Sequence, residues 1–240
     1  AQCNNDRALF GVLAAVLPSH STLQHLELGQ RVPMRRVDDV PDIDAYLPLV
    51  FSALGKNTGL KTLLIGVPCS MDESLSIAMK DGLELNETLE NLELINIHLT
   101  DDNADFWCRA LSFLHTNKGI KSLKVNVQQG IVESCLATFR IDVAAMLQES
   151  ASLECLSILT WNAIKTEEYI ALLTALQHNL TLKTVRLHLI HSMRLQLSDD
   201  QSKEMAVLLK KNYALEKLPD INQKDLLGDL GAILRLNEAG

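Results

Sequence analysis

Two histidines three positions apart, His188 and His191, are the closest the sequence comes to a metal-ligand pair. They flank a strand-like run, where residues three apart point to opposite sides and do not converge on one ion. No carboxylate or thiol motif accompanies them. Five cysteines, Cys3, Cys69, Cys108, Cys135 and Cys155, are odd in number, with spacings that fit neither a zinc site nor a disulfide framework. We read them as small buried hydrophobes in a reducing compartment. Asn86-Glu87-Thr88 and Asn179-Leu180-Thr181 match the glycan acceptor pattern. Both fall in a turn where Asn is expected for structural reasons. Arg31, Arg35 and Arg36 precede Asp38, Asp39, Asp42 and Asp44 in one long segment. An arginine that reaches a transferring phosphate is what a GTPase regulator would use, and a charge-balanced surface insertion is the plainer reading. There is no glycine-rich phosphate loop, nucleophile elbow or defined carboxylate pair. The expectation is therefore a non-enzyme with no cofactor and no metal.

Composition narrows the partner. The chain has 240 residues, with 22 Lys+Arg against 30 Asp+Glu and a formal charge of −8. A main ligand that is nucleic acid or an anionic membrane requires a basic surface, so neither is expected. No apolar stretch is long enough to span a bilayer. Residues 7–17 combine a charge with an apolar run, as a signal peptide does, but they end in the same pattern as later helices and are read as a repeat helix. An intracellular, cytoplasmic location is the resulting expectation. The chain starts at Ala1 and is expected to be part of a longer one.

The elements that position these residues recur. Aligned on one motif, the chain reads HSTLQHLEL, NTGLKTLLI, NETLENLEL, NKGIKSLKV, SASLECLSI, NLTLKTVRL and NYALEKLPD. The first apolar positions are Leu23, Leu60, Leu89, Ile120, Leu153, Leu182 and Leu215, at gaps of 37, 29, 31, 33, 29 and 33. Six of the motifs end in a two-residue alternation, which predicts a short strand with one buried face, and the seventh breaks at its third apolar place, where Asp220 stands. Between motifs lie helical stripes, such as Tyr169, Leu172, Leu173 and Leu176, or Phe139, Val143, Met146 and Leu147. Thr166 before Glu167 and Glu168, and Ser198 through Gln201, are helix starts. One strand and one helix make a unit that buries its apolar face only by stacking on neighbours. The strands are expected to be parallel, because each returns through a helix.

This pattern resembles the ribonuclease-inhibitor-like type of leucine-rich repeat over about residues 8–221. The resemblance implies an α/β solenoid, a horseshoe segment with parallel strands on the concave face and helices on the convex face. We read 1–240 as a single domain of about seven repeats. Strands are expected near 23–28, 60–65, 89–94, 120–125, 153–158, 182–187 and 215–221, with a helical cap over 222–240. One departure stands out. The family usually places Asn or Cys three residues after the third apolar position, and this chain has Arg31, Pro68, Ile97, Gln128, Trp161 and Ile190. The side-chain ladder of the turn is expected to be missing or shifted. His20, His115 and His178 precede strands and are read as helix-end caps.

Outward strand positions form rows. The first is Gln24, Lys61, Glu90, Lys121, Glu154, Lys183 and Glu216, which alternates in sign from Lys61 on. Neighbouring parallel strands lie about 5 Å apart, so this row reads as a self-paired surface ladder. The next is Glu27, Leu64, Glu93, Lys124, Ser157, Arg186 and Pro219, running from acidic to basic. The third is Gly29, Gly66, Ile95, Asn126, Leu159 and His188. Leu64, Ile95, Leu159 and Trp161 would form an exposed apolar patch that docks a partner, or Trp161 would fold back into the missing ladder position. The candidate partner-binding residues are Leu64, Ile95, Lys124, Leu159, Trp161, Arg186 and His188. The function expected is a protein–protein interaction module or scaffold. The alternatives are a GTPase regulator acting through the first long loop and an extracellular recognition ectodomain.

Overall fold

The structure, a computed structural model, describes residues 10–29, 46–66, 71–97, 102–127, 142–160 and 166–189. Six strands are present: β1 (His25–Gly29), β2 (Thr62–Gly66), β3 (Asn91–Ile97), β4 (Ser122–Val127), β5 (Cys155–Thr160) and β6 (Thr184–Leu189). They lie side by side in chain order as one sheet, and every pairing is parallel. A helix precedes each strand: α1 (10–16), α2 (Leu47–Leu54), α3 (Glu73–Leu85), α4 (Ala104–Leu111), α5 (142–149) and α6 (Thr166–His178). The helices start where local chemistry favours it. Pro48 sits in the first turn of α2, where its missing N–H costs nothing. Asp72 caps α3 by accepting the Leu75 N–H at 2.7 Å.

Inward strand residues and helix stripes meet in one core. Leu63, Leu92, Leu123, Leu156 and Val185 form one row of it, and Leu28, Ile65, Leu94, Val125 and Ile158 another. Val50, Leu54, Met79, Leu83, Trp107, Leu147 and Leu176 face them from the helices. Layers α2 and α3 approach closely at Gly82, where a Cβ would stand 2.1 Å from the Phe51 carbonyl oxygen. The fold is an α/β leucine-rich-repeat solenoid segment, strands lining one side and helices the other. The seventh expected strand and the cap at 222–240 lie outside the described residues.

Arg31, Pro68, Gln128, Trp161 and Ile190, on which the expectation of a missing or shifted ladder rests, lie outside the described residues, but a separate side-chain ladder is present. It occupies the turn between helix and strand, three residues before the first apolar position. Asn57, Asn86, Asn117 and Asn179 are all buried there. The Asn86 Nδ2 donates to the Leu54 and Asn57 carbonyls at 2.6 and 2.9 Å. Its Oδ1 accepts the Thr88 and Leu89 N–H groups at 3.0 and 2.7 Å. Asn117 reaches back to Leu83 and Asn86, Asn57 to Leu17 and His20, and Asn179 to Leu147 and Ser150. Each amide thus closes its own turn and fastens it to the preceding repeat. A second, backbone spine runs alongside. The N–H groups of Lys61, Glu90, Lys121, Glu154 and Lys183 donate in turn to the carbonyls of Gln24, Lys61, Glu90, Lys121 and Glu154 at 2.8–2.9 Å.

Candidate recognition face

The spine holds the Lys/Glu row at a fixed pitch, and the side chains then pair along it. Lys61 Nζ lies 3.0 Å from Glu90 Oε1, Lys121 Nζ 3.9 Å from Glu90 Oε2, and Lys183 Nζ 2.9 Å from Glu154 Oε2. The hydrogen bond from Lys61, with the charges of Lys121 and Lys61, holds the Glu90 carboxyl below its ordinary range.

The next row is in register as Glu27, Leu64, Glu93, Lys124, Ser157 and Arg186. Lys124 is exposed and ion-paired with Glu93 on the adjacent strand. Arg186 is exposed on β6, and Ser157 beside it is half-buried. Leu64 departs from the expected exposure: only 3 % of its surface is accessible. Ile95 departs likewise, at 6 %. Neither belongs to the core cluster on the helix side, so both are buried on the strand side. Burial of this kind removes aliphatic area from water at about 25 cal/mol per Å². A docking partner therefore meets neither side chain.

Leu159 is half-buried on β5, and its backbone pairs with His188 on β6. Trp161 and the arginine-bearing segment at 31–44 lie outside the described residues, as does His191. The strand face thus brings together Lys124, Ser157, Arg186 and Leu159 on three consecutive strands. Sequence patterning finds these positions from the two-residue alternation. The structure bears out the self-paired reading of the adjoining Lys/Glu row, and the burial of Leu64 and Ile95 is what the patterning misses.

Other expected chemistry falls out differently. Asn86 and Asn179 are each 1 % exposed, with the amide nitrogen bonded to two carbonyls. Neither amide is open to a glycan in this fold. The three histidines are not equivalent. His20 takes the ladder position, and its Nδ1 accepts the Leu23 N–H at 3.2 Å. His115 ends a 3-10 turn after α4, and its Nδ1 lies 3.0 Å from Glu149 of the following repeat. His178 closes α6 and is exposed. Cys155 is exposed on β5, contrary to the buried reading, because it occupies one of the two outward positions that follow the first apolar residue. Cys108 is half-buried, and burial followed by the neighbouring Asp142 carboxylate pushes its thiol pKa up, which makes it a poor nucleophile. Among the described residues, no group of three or more His, Cys, Asp or Glu could hold a metal ion. No helix among them is long and apolar enough to cross a membrane.

No protein-family model and no curated protein sequence matches the chain. Among solved structures, it is similar to leiomodin-1 actin-binding site 2 at 15 % identity and a TM-score of 0.36, over 96 % of this chain and 90 % of that one. It is also similar to a tropomodulin C-terminal domain from Caenorhabditis elegans at 10 % identity and a TM-score of 0.41, over 85 % and 93 %. At identities and scores this low, neither likeness bears on what this chain binds.

Proposed function

We propose that the chain is a non-enzymatic protein-binding module of the ribonuclease-inhibitor-like repeat type, docking a protein partner on its strand face. The observation that carries this reading is the arrangement of Lys124, Ser157 and Arg186 at matching positions of β4, β5 and β6, with Leu159 one step along β5. Such an array presents polar and partly apolar contacts at fixed spacing, and a prefixed surface lowers the ordering cost of binding. The titratable groups of the adjoining row pair with one another, which suits a recognition surface better than acid–base chemistry. The acidic balance of 30 Asp+Glu to 22 Lys+Arg speaks for a protein rather than a polyanion. An intracellular partner fits the reducing compartment inferred from the odd cysteine count and from free Cys108 and Cys155.

The test is capture from a lysate with the wild-type chain and with an Arg186→Glu, Leu159→Asp variant whose fold is checked by circular dichroism. A protein retained by the wild type and lost by the folded variant supports the reading. The same protein on both, or none on either, contradicts it.

A further inference from the structure

The ladder has one broken rung. The six described turns carry His20, Asn57, Asn86, Asn117, Ser150 and Asn179 at the equivalent position. Ser150 is 5 % exposed, and its Oγ makes no hydrogen bond. At the four asparagines, the amide crosses to two carbonyls of the preceding repeat at 2.6–3.0 Å. A serine side chain is one bond shorter and supplies one hydroxyl in place of a fork of donors and acceptor. It neither reaches back toward the fourth repeat nor closes its own turn. Part of the loss is offset by Ser152, whose Oγ donates to the Asn117 carbonyl at 2.8 Å. That contact is no substitute for the rung, because Thr88 and Thr181 make the same kind of bond in turns that also have their asparagine. The fourth and fifth repeats are otherwise joined, as their neighbours are, by the strand pairing, the spine bond from the Glu154 N–H to the Lys121 carbonyl and the core row through Leu123 and Leu156, with the His115–Glu149 and Cys108–Asp142 contacts on the helix side.

We propose that the junction between the fourth and fifth repeats is a built-in joint, at which the solenoid divides into two cooperative units while the sheet stays continuous. In a repeat array, stability is close to a sum of repeat terms and nearest-neighbour interface terms, so the array separates first at its weakest interface. A buried hydroxyl without a partner and a missing pair of cross-repeat bonds weaken this interface selectively. The sheet bonds on one side and the missing brace on the other make the turn side the one that opens. This inference rests on the ladder alone and is independent of what the strand face binds.

Native-state hydrogen exchange on the whole chain, followed through low denaturant, tests it. The wild type should show two classes, with the amides of β5 and β6 exchanging through a smaller opening than those of β2 to β4. Ser150→Asn restores the rung and should slow β5 and β6 by roughly tenfold, the scale of one or two hydrogen bonds regained, bringing the two classes together. The reciprocal Asn117→Ser variant should add a second boundary between β3 and β4, so that β4 joins the less protected strands, which keeps the test decisive if Ser150→Asn does not fold. A single exchange class in the wild type overturns the proposal. So does a less protected β5–β6 pair that neither substitution shifts, since the difference would then be fraying toward one end.

Discussion

The amide nitrogen of Asn86 lies 2.9 Å from the carbonyl oxygen of Asn57, the residue that occupies the same position one repeat earlier. This contact repeats between Asn117 and Asn86 at 2.8 Å. The ladder residues therefore bind each other's backbones directly, and each rung depends on the one before. Asn86→Ala removes the acceptor of the Thr88 and Leu89 N–H groups and one of the donors to the Leu54 and Asn57 carbonyls, which keep the Asn57 N–H and the Thr88 hydroxyl. The expected loss is about 2 kcal/mol or more, from two N–H groups left unsatisfied at about 1–3 kcal/mol each with partial relaxation. Urea denaturation of the variant and wild type measures it. Asn86→Asp keeps the acceptor but turns a carboxylate oxygen toward two carbonyls, so it should cost at least as much.

Leu156 is fully buried in the core row of β5, between Leu123 and Val185. Leu156→Ala should cost roughly 2–5 kcal/mol through the cavity it leaves. A loss under about 1 kcal/mol in chemical denaturation would mean that this row does not face the core.

Gly82 stands mid-helix in α3, where an alanine would ordinarily stabilise a helix by about 1 kcal/mol. Here the added Cβ meets the Phe51 carbonyl at 2.1 Å, backbone that cannot swing aside. Gly82→Ala should therefore destabilise, by about 1–3 kcal/mol as for other overpacked sites. A rise in the thermal midpoint would show that α2 and α3 sit farther apart.

The Lys/Glu row gives two solution signatures. Reversing Glu154 to Lys removes the contact with Lys183, and the resulting small loss of stability should shrink as salt is raised. A large loss that salt does not alter would place the row in a buried setting. The Glu90 carboxyl has its pKa lowered in the folded chain from 4.5, so its contribution is present above that pH and is lost as the pH falls through the lowered value. Glu90→Gln should lower stability slightly in the neutral range, where the charged carboxylate contributes, and flatten the acid limb below about pH 4.5, where variant and wild type converge. An unaltered acid limb would mean that Lys61 does not hold Glu90 in solution.

The strand rows were legible in the sequence because Leu-x-x-Leu-x-Leu fixes which residues alternate inward, and a slip of one residue would expose Leu63, Leu92 and Leu123 together. The charge ladder was legible for the same reason: Lys61, Glu90 and Lys121 had to become neighbours once the strands were parallel and in step. The asparagine ladder was visible as letters but not as structure. Asn57, Asn86 and Asn117 read as ordinary turn residues, and only the stacking of turns shows that their amides span two repeats. Leu64 and Ile95 were misjudged because alternation reports which side of a sheet a residue faces, not whether that side is covered. The bond from the Leu23 N–H to His20 was hidden too, because an imidazole Nδ1 can stand in for an amide oxygen only in one tautomer.

The most direct test of a stack fastened by internal amides is hydrogen exchange of the asparagine side chains themselves, read by NMR on the folded chain. The Nδ2 protons of Asn57, Asn86, Asn117 and Asn179 should be protected to nearly the same degree as the backbone amides of the strands beside them. Exchange of those protons at the rate of a free asparagine side chain would contradict the ladder, and with it the account of what holds successive repeats at a fixed pitch.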